Sequence, residues 1–169
     1  MKAKQLLIPV FIALCSIGIT QAADDPWYAG VKAGQFRVDE SEYDKANGAG
    51  GILGYKFSNS LAVEGGYSTT GTDGGLKVSG VEGTWNVEAY AVHFAYRSEG
   101  TFYFKGKAGY LHENVGVDIA GASVSGSDSG ASYGIGLGWR PVKDISFELE
   151  YTAIEKDVNF ITVGINFGL

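Results

Sequence analysis

A chain of 169 residues that is 45% hydrophobic, 13% aromatic and 19% charged, with a mean hydropathy of +0.02, has room for one domain. Its 26 glycines argue against a helix bundle, because each helical glycine costs about 1 kcal/mol relative to alanine. A net charge of -6 and a pI near 4.8 exclude a nucleic-acid footprint, and no apolar run beyond the N-terminal segment approaches the roughly 20 residues of a spanning helix.

Residues 1–22 read as a cleaved secretory signal peptide. Lys2 and Lys4 precede an apolar run from Leu6 to Ile19, and Thr20-Gln21-Ala22 supplies the small residues before a cut. The run is short for a membrane anchor and Pro9 interrupts it. The lone Cys15 lies inside it, behind Leu14 where a lipoprotein signal wants a small residue, so no disulfide or thiol chemistry is expected in the mature chain. The remaining 23–169 carries 11 basic and 19 acidic residues, a net charge of -8.

From Trp27 onward, apolar and small or polar residues alternate with period two, the pattern of strands with two unlike faces. The first segment sets Trp27, Ala29, Val31 and Ala33 against Tyr28, Gly30, Lys32 and Gly34. A second, 49–57, follows the same rule except that Ile52 falls among the small residues. The third, 61–68, opposes Leu61, Val63 and Tyr67 to Ala62, Glu64 and Ser68. The fourth, 87–96, opposes Tyr90, Val92, Phe94 and Tyr96 to Ala89, Ala91, His93 and Ala95. Four more follow: 102–110, 132–139, 145–152 and 161–169. Eight strands of roughly 9–11 residues have the length of tilted strands crossing a bilayer.

Connections at 58–60, 97–101 and 140–144 are tight turns, whereas 37–48, 68–86 and 111–131 are long, polar and rich in Gly, Ser and Asp. The last, 153–160, reads as a plain hairpin. Alternating short and long connections are the mark of an all-β, eight-stranded antiparallel up-and-down transmembrane barrel of the Gram-negative outer membrane, short turns facing the periplasm. Glycine and alanine dominate the non-apolar face, as a narrow lumen requires and a water-facing surface would not. Aromatics flank the apolar face at both ends: Trp27, Tyr55, Phe57, Tyr96, Phe102 and Trp139 near the turns, Tyr67, Tyr90, Tyr110, Tyr133 and Tyr151 toward the loops.

Charges on the lumen face fall at one level, roughly 8–13 Å up the axis at about 3.3 Å per residue and a tilt near 40°. Lys32, Lys105 and Lys107 balance Glu64, Glu148 and Glu150, with His93 a neutral or switchable member. Buried unpaired charge is costly, so mutual pairing into a structural layer is expected ahead of an ion pathway or proton relay.

Several segments resemble the transmembrane domain of outer membrane protein A. Trp27-Tyr28-Ala29-Gly30-Val31-Lys32-Ala33-Gly34 resembles its opening strand, and Gly54-Tyr55-Lys56-Phe57 with Leu61-Ala62-Val63-Glu64-Gly65-Gly66-Tyr67 its second hairpin. Phe147-Glu148-Leu149-Glu150-Tyr151 resembles the seventh strand. At the end, Thr162, Gly164, Phe167 and Leu169 occupy the places of the terminal signal read by the barrel-assembly machinery, with leucine for the usual last aromatic.

The resemblance implies a lumenal network of Lys, Glu and Arg, which Lys32 and Glu64 match in place. It puts His93 at a common lysine position and Lys107 at an arginine position. Glu148 stands where arginine is usual and Gly138 where a glutamate is, so the family's gating exchange is not carried over. No peptidoglycan-binding domain follows Leu169, which points to the barrel-only group that includes small adhesins.

Catalysis would need a nucleophile, a base and an orienting group in reach. His112 and Glu113 near Ser123, Ser125, Ser127 and Ser129 are the one conceivable lipid-modifying set, and a solvated serine-rich loop explains them better. No metal-ligand spacing or phosphate-binding loop appears, so neither cofactor nor enzyme activity is expected. The acidic run Asp39-Glu40-Ser41-Glu42-Tyr43-Asp44 reads as a solvated loop. The expected protein is a monomeric structural or surface-interaction barrel whose partners are outer-membrane lipid, the assembly machinery and a surface ligand held by the loops. A small porin-like channel is the competing class.

Overall fold

The computed structural model describes residues 26–38, 44–70, 74–78, 81–119, 122–154 and 158–169. The proposed signal peptide and the acidic residues 39–43 lie outside these. Period-two alternation becomes β1 (Trp27–Val38), β2 (Ala46–Lys56), β3 (Leu61–Thr70), β4 (Gly74–Val78), β5 (Val81–Arg97), β6 (Phe102–Ile119), β7 (Ala122–Val142), β8 (Ile145–Ile154) and β9 (Val158–Gly168). All pair antiparallel in the order β3-β2-β1-β9-β8-β7-β6-β5, and β3 pairs again with β5. The sheet therefore closes into an eight-stranded barrel without free edges. β4 is a ninth, short strand added to the outer end of β5.

Alternation sorts side chains as expected. On β6, Phe102 and Phe104 are 76% and 70% exposed, while their neighbours Tyr103 and Lys105 are buried. The outer wall is an aliphatic belt between aromatic rings. Trp27 meets Tyr55 edge-on at 5.0 Å and Trp139 stacks near Phe147 at 5.6 Å at one end, and Tyr67 meets Tyr90 at 4.9 Å at the other. Phe102 and Tyr110, on one face of β6, are separated by roughly 20 Å along the normal for a tilt near 40°, close to the height of an outer-membrane apolar band.

Three expectations are corrected. β5, β6 and β7 run for 17, 18 and 21 residues rather than 9–11. Much of 68–86 and 111–131, expected as polar loop, is strand, because the ladder between β6 and β7 continues without interruption to Ile119↔Ala122. The hairpins extend beyond the belt as a sheet of β4 to β7. Arg97, expected at the start of a turn, is the last residue of β5 with its side chain buried in the lumen. At the third turn the register of β7 shifts between Trp139 and Val142, where Pro141 has no N–H to give the ladder.

Candidate functional site in the lumen

Lumen-facing positions on four strands converge low in the barrel. β3 contributes Glu64, β5 Arg97, β6 Lys105 and Lys107, and β8 Glu148 and Glu150; all six are buried. Arg97 Nη2 lies 2.6 Å from Glu64 Oε1 and its Nε 2.8 Å from Glu148 Oε1. Lys105 Nζ lies 2.9 Å from Glu64 Oε1 and 2.8 Å from Glu148 Oε2, and also pairs with Glu150. Arg97, Glu64, Lys105 and Glu148 thus form a closed ring of alternating sign. Lys105 is the hub, since the three donors of one ammonium meet three carboxylates. A spur continues to Lys107, whose Nζ is 2.6 Å from Glu150 Oε2.

Two tyrosines, Tyr28 on β1 and Tyr103 on β6, complete the ring. Tyr28 Oη donates to Glu64 Oε1 at 2.7 Å and accepts from Arg97 Nη1 at 2.9 Å, while Tyr103 Oη donates to Glu148 Oε1 at 2.8 Å. Glycine makes room for both rings. A Cβ on Gly54 would stand 2.1 Å from Tyr28 Cζ, and one on Gly138 the same distance from Tyr103 Cζ. The position where the resemblance puts a glutamate is thus occupied by a tyrosine ring from the neighbouring strand.

Of the expected charge layer, Glu64, Lys105, Lys107, Glu148 and Glu150 come together as ion pairs, and two members do not join. Lys32 makes no ion pair among the described residues; its Nζ lies over the Phe160 ring, 5.6 Å from the centroid. The cause is register: at its level the neighbouring strands offer Gly50 and Gly164, neither of which supplies a carboxylate. His93 Nε2 lies 3.1 Å from Ser132 Oγ, and that hydroxyl donates onward to the Ala153 carbonyl at 3.0 Å. The serine proton being committed, His93 bonds through Nε2–H as the donor. Arg97 takes the place expected of Lys32. The series Ala91, His93, Ala95 and Arg97 carries its lumen phase, a pattern visible in the sequence.

Above this network apolar side chains dominate the lumen, with Glu113 a buried carboxylate among them. Phe36 and Phe160 stack at 3.9 Å with an 8° interplanar angle, and Trp85, Val87, Leu111 and Ile154 bury beside them. Trp85 Nε1 donates to the Asp44 carbonyl at 3.1 Å, which satisfies its one polar atom. A cavity of about 20 Å³ remains between the two storeys, and one of about 10 Å³ beside Lys32, Glu148 and Glu150.

At the closing seam Thr162 is buried and Phe167 and Leu169 face outward, on the last strand and the residue after it. His112, exposed on the outer face, places Nδ1 2.7 Å from Ser129 Oγ, but Glu113 points through the wall into the interior and cannot orient it. Among the described residues no group of three metal-ligating side chains converges.

The profile of the outer membrane protein beta-barrel domain matches residues 9–169. No curated protein sequence matches the chain. Among solved structures it is similar to the attachment invasion locus protein Ail of Yersinia pestis, at 22% identity over 83% of this chain and 96% of that chain, with a TM-score of 0.62. Neisserial surface protein A is similar at 13% identity over 88% and 99%, TM-score 0.63. The N-terminal barrel of Pseudomonas aeruginosa OprF is similar at 17% identity over 87% and 98%, TM-score 0.57. At these identities the likeness is one of fold. Ail has also been crystallised with the heparin analogue sucrose octasulfate.

Proposed function

Because the chain belongs to the outer membrane protein beta-barrel domain family, as the match over residues 9–169 establishes, we propose that it is a non-conducting surface protein of the Gram-negative outer membrane. Its rigid wall presents the β4–β7 sheet and the long loops to ligands outside. The observation that carries this reading is the double filling of the lumen. A charge ring below and stacked aromatics above fill the lumen, and the cavities of about 20 and 10 Å³ beside them each have room for about one water.

Export by a cleaved segment at 1–22 and recognition of Thr162, Gly164, Phe167 and Leu169 by the barrel-assembly machinery belong to the same reading, as do a monomeric state and the absence of catalysis. A surface ligand with sulfate or other anionic groups has a precedent in the fold through Ail, which binds the sulfated analogue. Adhesion then resides in the loops, where a scaffold fixed by its wall leaves variation free.

Planar-bilayer recording tests the reading. Membranes bearing the protein should stay at baseline, and steady openings of defined size would overturn it in favour of a small porin-like channel. Deleting 37–47 or 111–130 should lower host-surface binding of expressing cells while the barrel still shifts mobility on boiling. Undiminished binding in both deletions would remove the adhesive role.

A further inference from the structure

We propose that the periplasmic mouth of the barrel is a binding site for a phosphate group. The inference rests on the orientation above, short turns inward, but not on whether the lumen conducts. Beneath the charge ring, the first and third turns enclose a cavity of about 40 Å³, room for roughly three waters and so for one tetrahedral oxyanion. Its charged lining is four cations, Lys56, Arg97, Arg140 and Lys143, against the single acid Asp144, with hydroxyls of Ser58, Ser60 and Ser146 between them.

The state of the two arginines makes this more than a count of charges. Arg140 lies over the Tyr103 ring at 4.9 Å, and among the described residues its guanidinium forms no ion pair. A guanidinium held over a ring face spends none of its N–H donors on that contact, which leaves its planar fork able to grip an oxyanion with two parallel bonds. Arg97 spends Nε on Glu148, one Nη on Tyr28 and the other on Glu64. Of five donor hydrogens two are left, and Arg97 forms the inner wall of the cavity.

Lys56 and Arg97 also crowd the same Tyr28 ring, at 5.6 and 5.0 Å from its centroid. Both side chains line the cavity, so an anion between the turns is attracted by each. The ligand is therefore a phosphate mono- or diester, from a soluble periplasmic compound or from a lipid headgroup of the inner leaflet.

The test uses the folded chain in a maltoside detergent free of phosphate. Inorganic phosphate is titrated in while the Nε–H resonances of Arg97 and Arg140 are followed, with chloride at equal ionic strength as control. A saturable shift with phosphate and none with chloride is expected. Arg140→Gln should weaken binding at least tenfold as read at Arg97. Lys143→Gln provides a second variant, expected to weaken it severalfold; retained mobility shift on boiling shows that either variant folds.

In phospholipid nanodiscs, an Arg140 resonance already shifted and indifferent to added phosphate identifies the headgroup as the source, and continued response identifies a soluble phosphate. No saturable shift in detergent, or unchanged affinity in folded Arg140→Gln, overturns the site. Neither result bears on conductance, so failure here and failure of the closed-lumen reading are read separately.

Discussion

The two storeys of the lumen solve one packing problem with opposite chemistry. Below, six buried charges and two tyrosines interlock so that each donor of Lys105 has its own carboxylate. Above, Phe36, Phe160 and Trp85 fill a similar cross-section with rings that need only one hydrogen bond to be satisfied. The lower storey is intolerant of partial change, since removing one member strands charges in a region with little water. The upper storey responds to volume, as any packed core does. The contrast explains why glycine surrounds the charges: long polar side chains must cross the lumen, and the wall opposite has to stay thin.

The sharpest way to break the comparison is at the hub. Lys105→Ala should cost about 3–5 kcal/mol by taking one cation from among Glu64, Glu148 and Glu150, with Glu64→Ala close behind, both read as urea midpoints in detergent micelles. A midpoint within error of the parent would mean that water, not lysine, satisfies the ring. In the upper storey Phe36→Ala should cost about 3 kcal/mol through the cavity it leaves, and a partial return of stability with an added small aromatic solute would mark the loss as one of volume.

Smaller effects sharpen the assignment. Tyr103→Phe removes one hydrogen bond to a charged group and should cost about 1.5–2 kcal/mol in the same unfolding assay, with no change in boiling-dependent mobility. Lys32→Met should move the midpoint least, by about 0.5 kcal/mol or less and in the stabilising direction, because no described carboxylate loses a partner. A large loss on Lys32→Met would return that lysine to the charge layer.

The wall was legible in the sequence because period-two alternation is local, and so was the lumen position of every charged residue singled out. What was not legible is non-local. Which lysine meets which glutamate depends on stagger, and stagger sets glycines on both sides of Lys32 while bringing Arg97 between Glu64 and Glu148. The upper storey was missed for another reason. Strands cut to the thickness of a bilayer end before Trp85, although Trp85, Val87 and Ala89 keep the lumen phase in a segment whose composition reads as loop.

The long β6–β7 hairpin has a mechanical consequence. A pull applied at the outer ends of β6 and β7 runs along the strands, so the load passes sideways into β5 and β8 through ladders that run from Gly83↔Ile119 to Arg97↔Lys105 and from Ser132↔Ile154 to Val142↔Ile145. Backbone bonds perpendicular to the strands are then stressed together in shear instead of opening one by one. Tension applied at the tip of the hairpin is thereby spread over the barrel wall instead of being concentrated on one pair of strands.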